Sequence, residues 1–195
     1  MSGVPRSWSW LLVTIACLGG LACQLRRPDI PPGRMIEPQL VQPPERGAIA
    51  ANATPVRLLE TEARGHIGRR VLHQLPDGEL TEDPVWRWSS APDRYLDTAL
   101  RLELESRPDL RVVDSGTALT VAVTLVAWHV ESSGSARLVG AIEVRSTEAE
   151  RVVHTRIVRL GEPVSAGLPG DLAVAAGRLL KNLASEGLNS LAPQR

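Results

Sequence analysis

Histidine, cysteine, serine and paired carboxylates are the side chains that would carry chemistry in this chain, and their spacing argues against it. The four histidines, at 66, 73, 129 and 154, are too far apart for a short metal-ligand pattern. His73, His129 and His154 fall in stretches that read as strands, where a histidine is ordinarily hydrogen-bonded or solvated rather than a ligand. No serine stands in a nucleophile-elbow pattern. The carboxylate pairs Glu82-Asp83 and Glu103, Glu105 read as solvated loop and helix faces. Lys181 is the only lysine, which removes a Schiff-base or phosphate-loop lysine from most of the chain. No Gly-rich loop is followed by Lys, so the chain is not an ATPase. The expectation is a non-enzymatic protein with no catalytic, cofactor-binding or metal-binding residues. With 22 basic against 22 acidic residues, it also lacks the electrostatic footprint of a nucleic-acid binder.

The cysteines point elsewhere. Both, Cys17 and Cys23, lie near the N-terminus, so the rest of the chain can form neither a disulfide nor a cysteine metal site. Arg6 precedes an apolar run from Trp8 through Leu21, the layout of a secretory signal, and the run is too short and too glycine-broken to span a bilayer. It ends in Gly20-Leu21-Ala22-Cys23, which resembles the bacterial lipobox, where a cysteine after a small residue is acylated and the leader removed. That motif usually has Leu where Gly20 stands. Cys17, after Thr14-Ile15-Ala16, is the alternative site. Acyl chains on Cys23, palmitate among them, would hold the protein firmly at a membrane. Gln24 is similar to the residue that follows the acylated cysteine in outer-membrane lipoproteins of Gram-negative bacteria, where Asp instead marks retention at the inner membrane.

The elements that follow divide the chain into four expected parts: a lipoprotein signal peptide at 1–22, the lipidated cysteine and a proline-rich linker at 23–55, a folded domain at 56–191, and a tail at 192–195. Seven prolines between residues 24 and 55 argue for a semi-rigid tether, because proline removes backbone donors and favours extended conformations. Order is expected from Val56. Val56–Glu60, Arg70–Leu75 and the alternating Val85-Trp86-Arg87-Trp88 read as strands. Ser90 is placed to cap a helix that starts near Pro92 and stops at Arg107-Pro108. Leu110–Val113 is a short strand. Leu119–Val130, Leu138–Arg145 and Val152–Leu160 then read as an antiparallel meander, with Leu119, Val121, Val123, Leu125 and Ala127 sharing one face of its first strand. A second helix covers roughly Asp171 to Leu191, its apolar stripe built on Leu172, Ala176, Leu179, Leu180 and Leu183. The fold class is therefore α+β: an antiparallel or mixed sheet of about five to seven strands packed by two helices.

Trp86 and Trp88, two residues apart on one strand, point to the same face. Either both pack under the first helix, or they form a hydrophobic interface for a lipid, peptide or neighbouring subunit.

The stretch Trp86-Arg87-Trp88-Ser89-Ser90-Ala91-Pro92-Asp93-Arg94-Tyr95-Leu96, with Leu100, Leu104 and Leu110–Val113 after it, resembles the ABC-type transport auxiliary lipoproteins of Gram-negative bacteria, known from the paraquat-inducible lipid transport system. The order of lipobox, linker, strands, helix, meander and closing helix is similar too. Ala118-Leu119 departs from the family's Asp-Tyr start of the long strand. The resemblance implies an outer-membrane lipoprotein on the periplasmic face that docks the conduit of an MCE-type intermembrane lipid transport machine. It implies an MCE-domain protein and ABC transporter subunits as partners, a possible homo-oligomer, and ATP hydrolysis on another subunit. An outer-membrane assembly lipoprotein supporting a barrel or secretion channel is the alternative.

Overall fold

The computed structural model describes residues 33–42, 48–149, 151–165 and 169–191. Cys17, Cys23 and the leader lie outside them. Among the described residues, nine strands and two helices follow one another as β1 (Arg34–Ile36), β2 (Thr54–Leu58), β3 (Glu62–Ala63), β4 (Arg70–Gln74), β5 (Leu80–Trp88), α1 (Pro92–Glu105), β6 (Leu110–Val112), β7 (Leu119–Glu131), β8 (Ser135–Ser146), β9 (Arg151–Pro163) and α2 (Pro169–Asn189). The class is α+β, as the sequence indicates. The count rises to nine because β1 and β3 are too short to carry a readable period.

Strand β7 organises the sheet. Along one edge it pairs antiparallel with β8 from Leu119↔Ser146 to Glu131↔Ser135, and β8 pairs antiparallel with β9. These are the three strands of the expected meander. Along its other edge, β2, β3 and β4 succeed one another in parallel, at Val56↔Leu119, Glu62↔Thr124 and His73↔Val130. Outside them, β6 pairs with β2, β5 with β4, and β1 in parallel with β5 at Arg34↔Trp86 and Ile36↔Trp88.

One face of this sheet is roofed by both helices. Leu179, Leu180, Leu183 and Leu188 of α2 are fully buried, as are Leu96 of α1 and Leu125, Leu138 and Ile142 of the sheet. Each contributes about 1.5–3 kcal/mol by leaving water. Gly140 of β8 sets the distance of approach: a β-carbon there would meet Leu183 Cδ1 at 2.6 Å. Strand β7 departs from the simple alternation its sequence predicts. A bulge between Leu125 and Ala127 shifts the register, so Ala127 leaves the face of Val121, Val123 and Leu125, and Trp128 is buried in its place.

Two further expectations are corrected. Ser90 does not cap α1: Ala91 occupies the cap without a side-chain bond, and the Ser90 amide instead donates to the Tyr95 hydroxyl at 2.7 Å. Among the described residues, chain packed onto the domain as a strap is present well before Val56. Within the stretch expected to be tether, Ile36 and Pro38 are buried, the Ser89 amide donates to Ile36 O, and the Gln39 amide donates to Ala173 O on α2, both at 2.9 Å. Residues 54 and 55 likewise belong to β2. Proline density signalled a chain without ladder donors, but three residues of strand and one well-placed amide suffice to bind it to the domain.

Candidate functional site

Near the β7–β8 turn, β1, β4, β5 and the start of α2 enclose a cleft of about 270 Å³. Its walls are mainly apolar, formed by Ile36, Val71, Trp86, Val130, Val164 and Leu172. Strand pairing explains the convergence. Ile36 is brought in by β1, Val71 and His73 by β4, Asp83 and Trp86 by β5, and Val130 by the end of β7.

The polar part of the cleft is a fixed pair. Asp83 Oδ1 accepts the backbone N–H of Val85 and of Trp86, each at 2.8 Å, and Oδ2 lies 2.8 Å from His73 Nε2. Burial pushes the Asp83 carboxyl up, but the amides of Trp86 and Val85 and then His73 outweigh it and hold it below its ordinary value. An ionised carboxylate cannot donate, so His73 Nε2–H is the donor to Asp83 Oδ2. Ser132 and Ser165 also line the cleft, yet among the described residues neither is hydrogen-bonded to His73. The pair fixes the polar part of the cleft wall. Among the described residues, no three His, Cys, Asp or Glu side chains group for a metal.

The two tryptophans singled out by sequence part company here. Trp88 is 3% exposed and stacked on Trp128, with centroids 4.5 Å apart and planes at 24°. It is core, and no partner can reach it, which removes it from the expected interface. Trp86 is half-buried, lines the cleft, and has the Arg34 guanidinium 5.7 Å from its ring centroid. Sequence reasoning missed Trp128, because the bulge that buries it has no composition signal. It also missed the His73–Asp83 pair, ten residues apart across the β4–β5 hairpin, although the Pro76-Asp77-Gly78 turn between them was legible.

The sequence model of the ABC-type transport auxiliary lipoprotein component family matches residues 38–186. The chain belongs to this family. Its members' name describes lipoproteins that assist ABC-type transport, and the match runs from the buried Pro38 to Glu186 in the last turn of α2. Among solved structures, a Xanthomonas campestris protein superposes with a TM-score of 0.66 at 17% identity, covering 80% of this chain and 92% of that one. An uncharacterized protein gives a TM-score of 0.62 at 14% identity, over 80% of this chain and 99% of the other. At these identities the two share the fold of this transport auxiliary lipoprotein. No curated protein matches the chain in sequence. Among the described residues no helix is long and apolar enough to cross a membrane.

Proposed function

We propose that this transport auxiliary lipoprotein is acylated at Cys23, held at the periplasmic face of the outer membrane, and docks there the MCE-domain conduit of an ABC-driven intermembrane lipid transport system. The observation that carries the reading is the family match across most of the folded domain, residues 38–186. Three features of the chain agree with it. Gln24 follows the lipobox cysteine, the chain has no phosphate loop of its own, and an apolar cleft is available where Trp86 was expected to meet a partner. The protein's part is positioning rather than catalysis, with ATP hydrolysis on another subunit. A homo-oligomeric ring would repeat the Trp86 cleft around the end of the conduit.

The cleft suits an anchor residue of a partner. Its volume of about 270 Å³ is below the range of about 300–1,000 Å³ typical of whole drug-sized ligands, and fits one or two large apolar side chains. Crosslinking intact cells, pulling down a C-terminally tagged copy and identifying partners by mass spectrometry tests the reading. Recovery of MCE-domain and ABC transporter subunits is expected. Recovery of an outer-membrane barrel or secretin alone would replace the reading with that of an assembly lipoprotein.

A further inference from the structure

Strand β9 is a long free border of the sheet. Its 13 residues, Arg151–Pro163, pair with β8 on one side, and no other described strand meets them. An edge strand turns every second residue's N–H and C=O outward, leaving that ladder to solvent or to another chain. Native sheets ordinarily keep such edges short, break them with bulges or proline, or stud them with charge. β9 far exceeds the common strand length of about 5–6 residues. Its bulge lies near one end, opposite Val144 and Arg145 of β8, and its only proline is the last residue. His154–Pro163 is therefore an unbroken template.

The charges on this edge are unevenly placed. Val158 alone of β9 is buried, in the core beneath α2, and Arg156 and Glu162 share its face. Both are tied to α2: Arg156 Nη1 lies 2.6 Å from Glu186 Oε2, and Glu162 lies 3.7 Å from Arg178. The other face presents Thr155, Ile157 and Arg159. Ile157 is 55% exposed, because its partner on β8 is Ala141, too small to cover it. Arg159 has no ion-pair partner among the described residues. A guard of this kind is selective in sign, since like charges opposite each other destabilise a strand pair and opposite charges stabilise it. With Arg151, Arg156 and Arg159 against Glu162, β9 repels a basic edge, its own copy included, and admits an acidic strand.

We propose that β9 receives an added strand from another protein, an extended segment that alternates acidic and apolar residues along one face. Main-chain hydrogen bonds to the outward N–H and C=O groups supply the affinity. An apolar side chain opposite Ile157 and a carboxylate opposite Arg159 set the register. The proposal is independent of the docking reading, because neither Ile157 nor Arg159 lines the Trp86 cleft.

The test uses the full-length chain, purified in detergent, and three fluorescein-labelled peptides in anisotropy titrations. The first peptide is three repeats of Glu-Thr-Val-Thr, which places its acidic and apolar residues alternately on one face of a strand. The second carries lysine in place of glutamate. The third is the first peptide N-methylated throughout, so that it keeps its charge and cannot donate. The first is expected to bind about tenfold more tightly than either of the others. Ile157→Glu and Arg159→Glu, both at exposed positions, are each expected to weaken it about tenfold and to leave the melting temperature unchanged. Equal binding of the N-methylated peptide would mean attraction by charge alone and overturns the proposal. So does no binding of the first peptide, or binding that both variants leave intact. Sedimentation of the free protein is run beside these titrations. A dimer that Ile157→Glu dissociates would give the edge to a second copy and overturn the proposal as well.

Discussion

A β-carbon added to Gly177 of α2 would fall on the carbonyl of Gln39, 2.6 Å from its carbon atom. Helix and strap are therefore in backbone-to-backbone contact, sealed by the Gln39 amide on Ala173 O. Mid-helix glycine normally costs about 1 kcal/mol relative to alanine. Here glycine is needed because nothing larger lets the strap lie down.

Gly177→Ala is accordingly expected to destabilise the domain despite its gain in helix propensity. Backbone cannot yield as the end of a side chain can, so an overpacking cost of about 1–3 kcal/mol outweighs the gain. The denaturant midpoint should fall, and the bond just after Gln39 should become protease-sensitive. An unchanged or raised midpoint would mean that the strap does not seat on α2.

A chain that begins at Gly33 should fold as stably as the mature protein, and one that begins at Val56 should not. The shorter chain loses Ile36 and Pro38 from the core, leaves the β1 edge of β5 unpaired, and opens the cleft wall. Circular dichroism with thermal unfolding compares the two directly. Equal melting temperatures would restore the strap to the status of a tether.

These first two predictions turn on the part of the fold that was least legible. Strands β7 to β9 could be read because alternation over many residues reports a half-buried surface, whereas of β5 only Val85–Trp88 was legible, its first half from Leu80 through Asp83 having read as solvated. The helices showed their stripes. Arg34-Met35-Ile36 offers no period, and the prolines flanking it at 32 and 38 report what the backbone cannot donate, not where it goes. The cleft was illegible for a related reason. Val71, Trp86, Val130 and Leu172 meet only through pairings among β4, β5, β7 and α2, which no local pattern records.

The tryptophans should separate stability from docking. Trp88→Ala removes a stacked core ring and should cost about 3–5 kcal/mol. Trp86→Ala, at a half-buried site, should cost roughly 1–2 kcal/mol while reducing recovery of the partner. Trp128→Phe should be nearly neutral, since the buried Trp128 Nε1 has no hydrogen-bond partner to lose. Thermal unfolding of the three variants decides the order. Comparable losses at 86 and 88 would mean that Trp86 is core as well.

Asp83 should make the domain acid-sensitive. Its carboxyl lies below the ordinary value of 3.8 in the folded state. A depressed acid contributes stability that is fully present above the unfolded value and is lost as pH falls through the lower folded one. Asp83→Asn should therefore cost roughly 1–3 kcal/mol at neutral pH by removing a charged acceptor of two amides, and should flatten the loss of stability below about pH 4. Chemical denaturation between pH 2 and 7 would measure both. An undiminished acid slope in the variant would assign the sensitivity to other carboxylates.

The most direct test of the docking claim places a photo-crosslinking amino acid at position 86 in the full-length protein in living cells. The account predicts an adduct with an MCE-domain subunit that is absent when the crosslinker stands at Glu148. An adduct confined to an outer-membrane barrel or secretin, or to lipid alone, would contradict it.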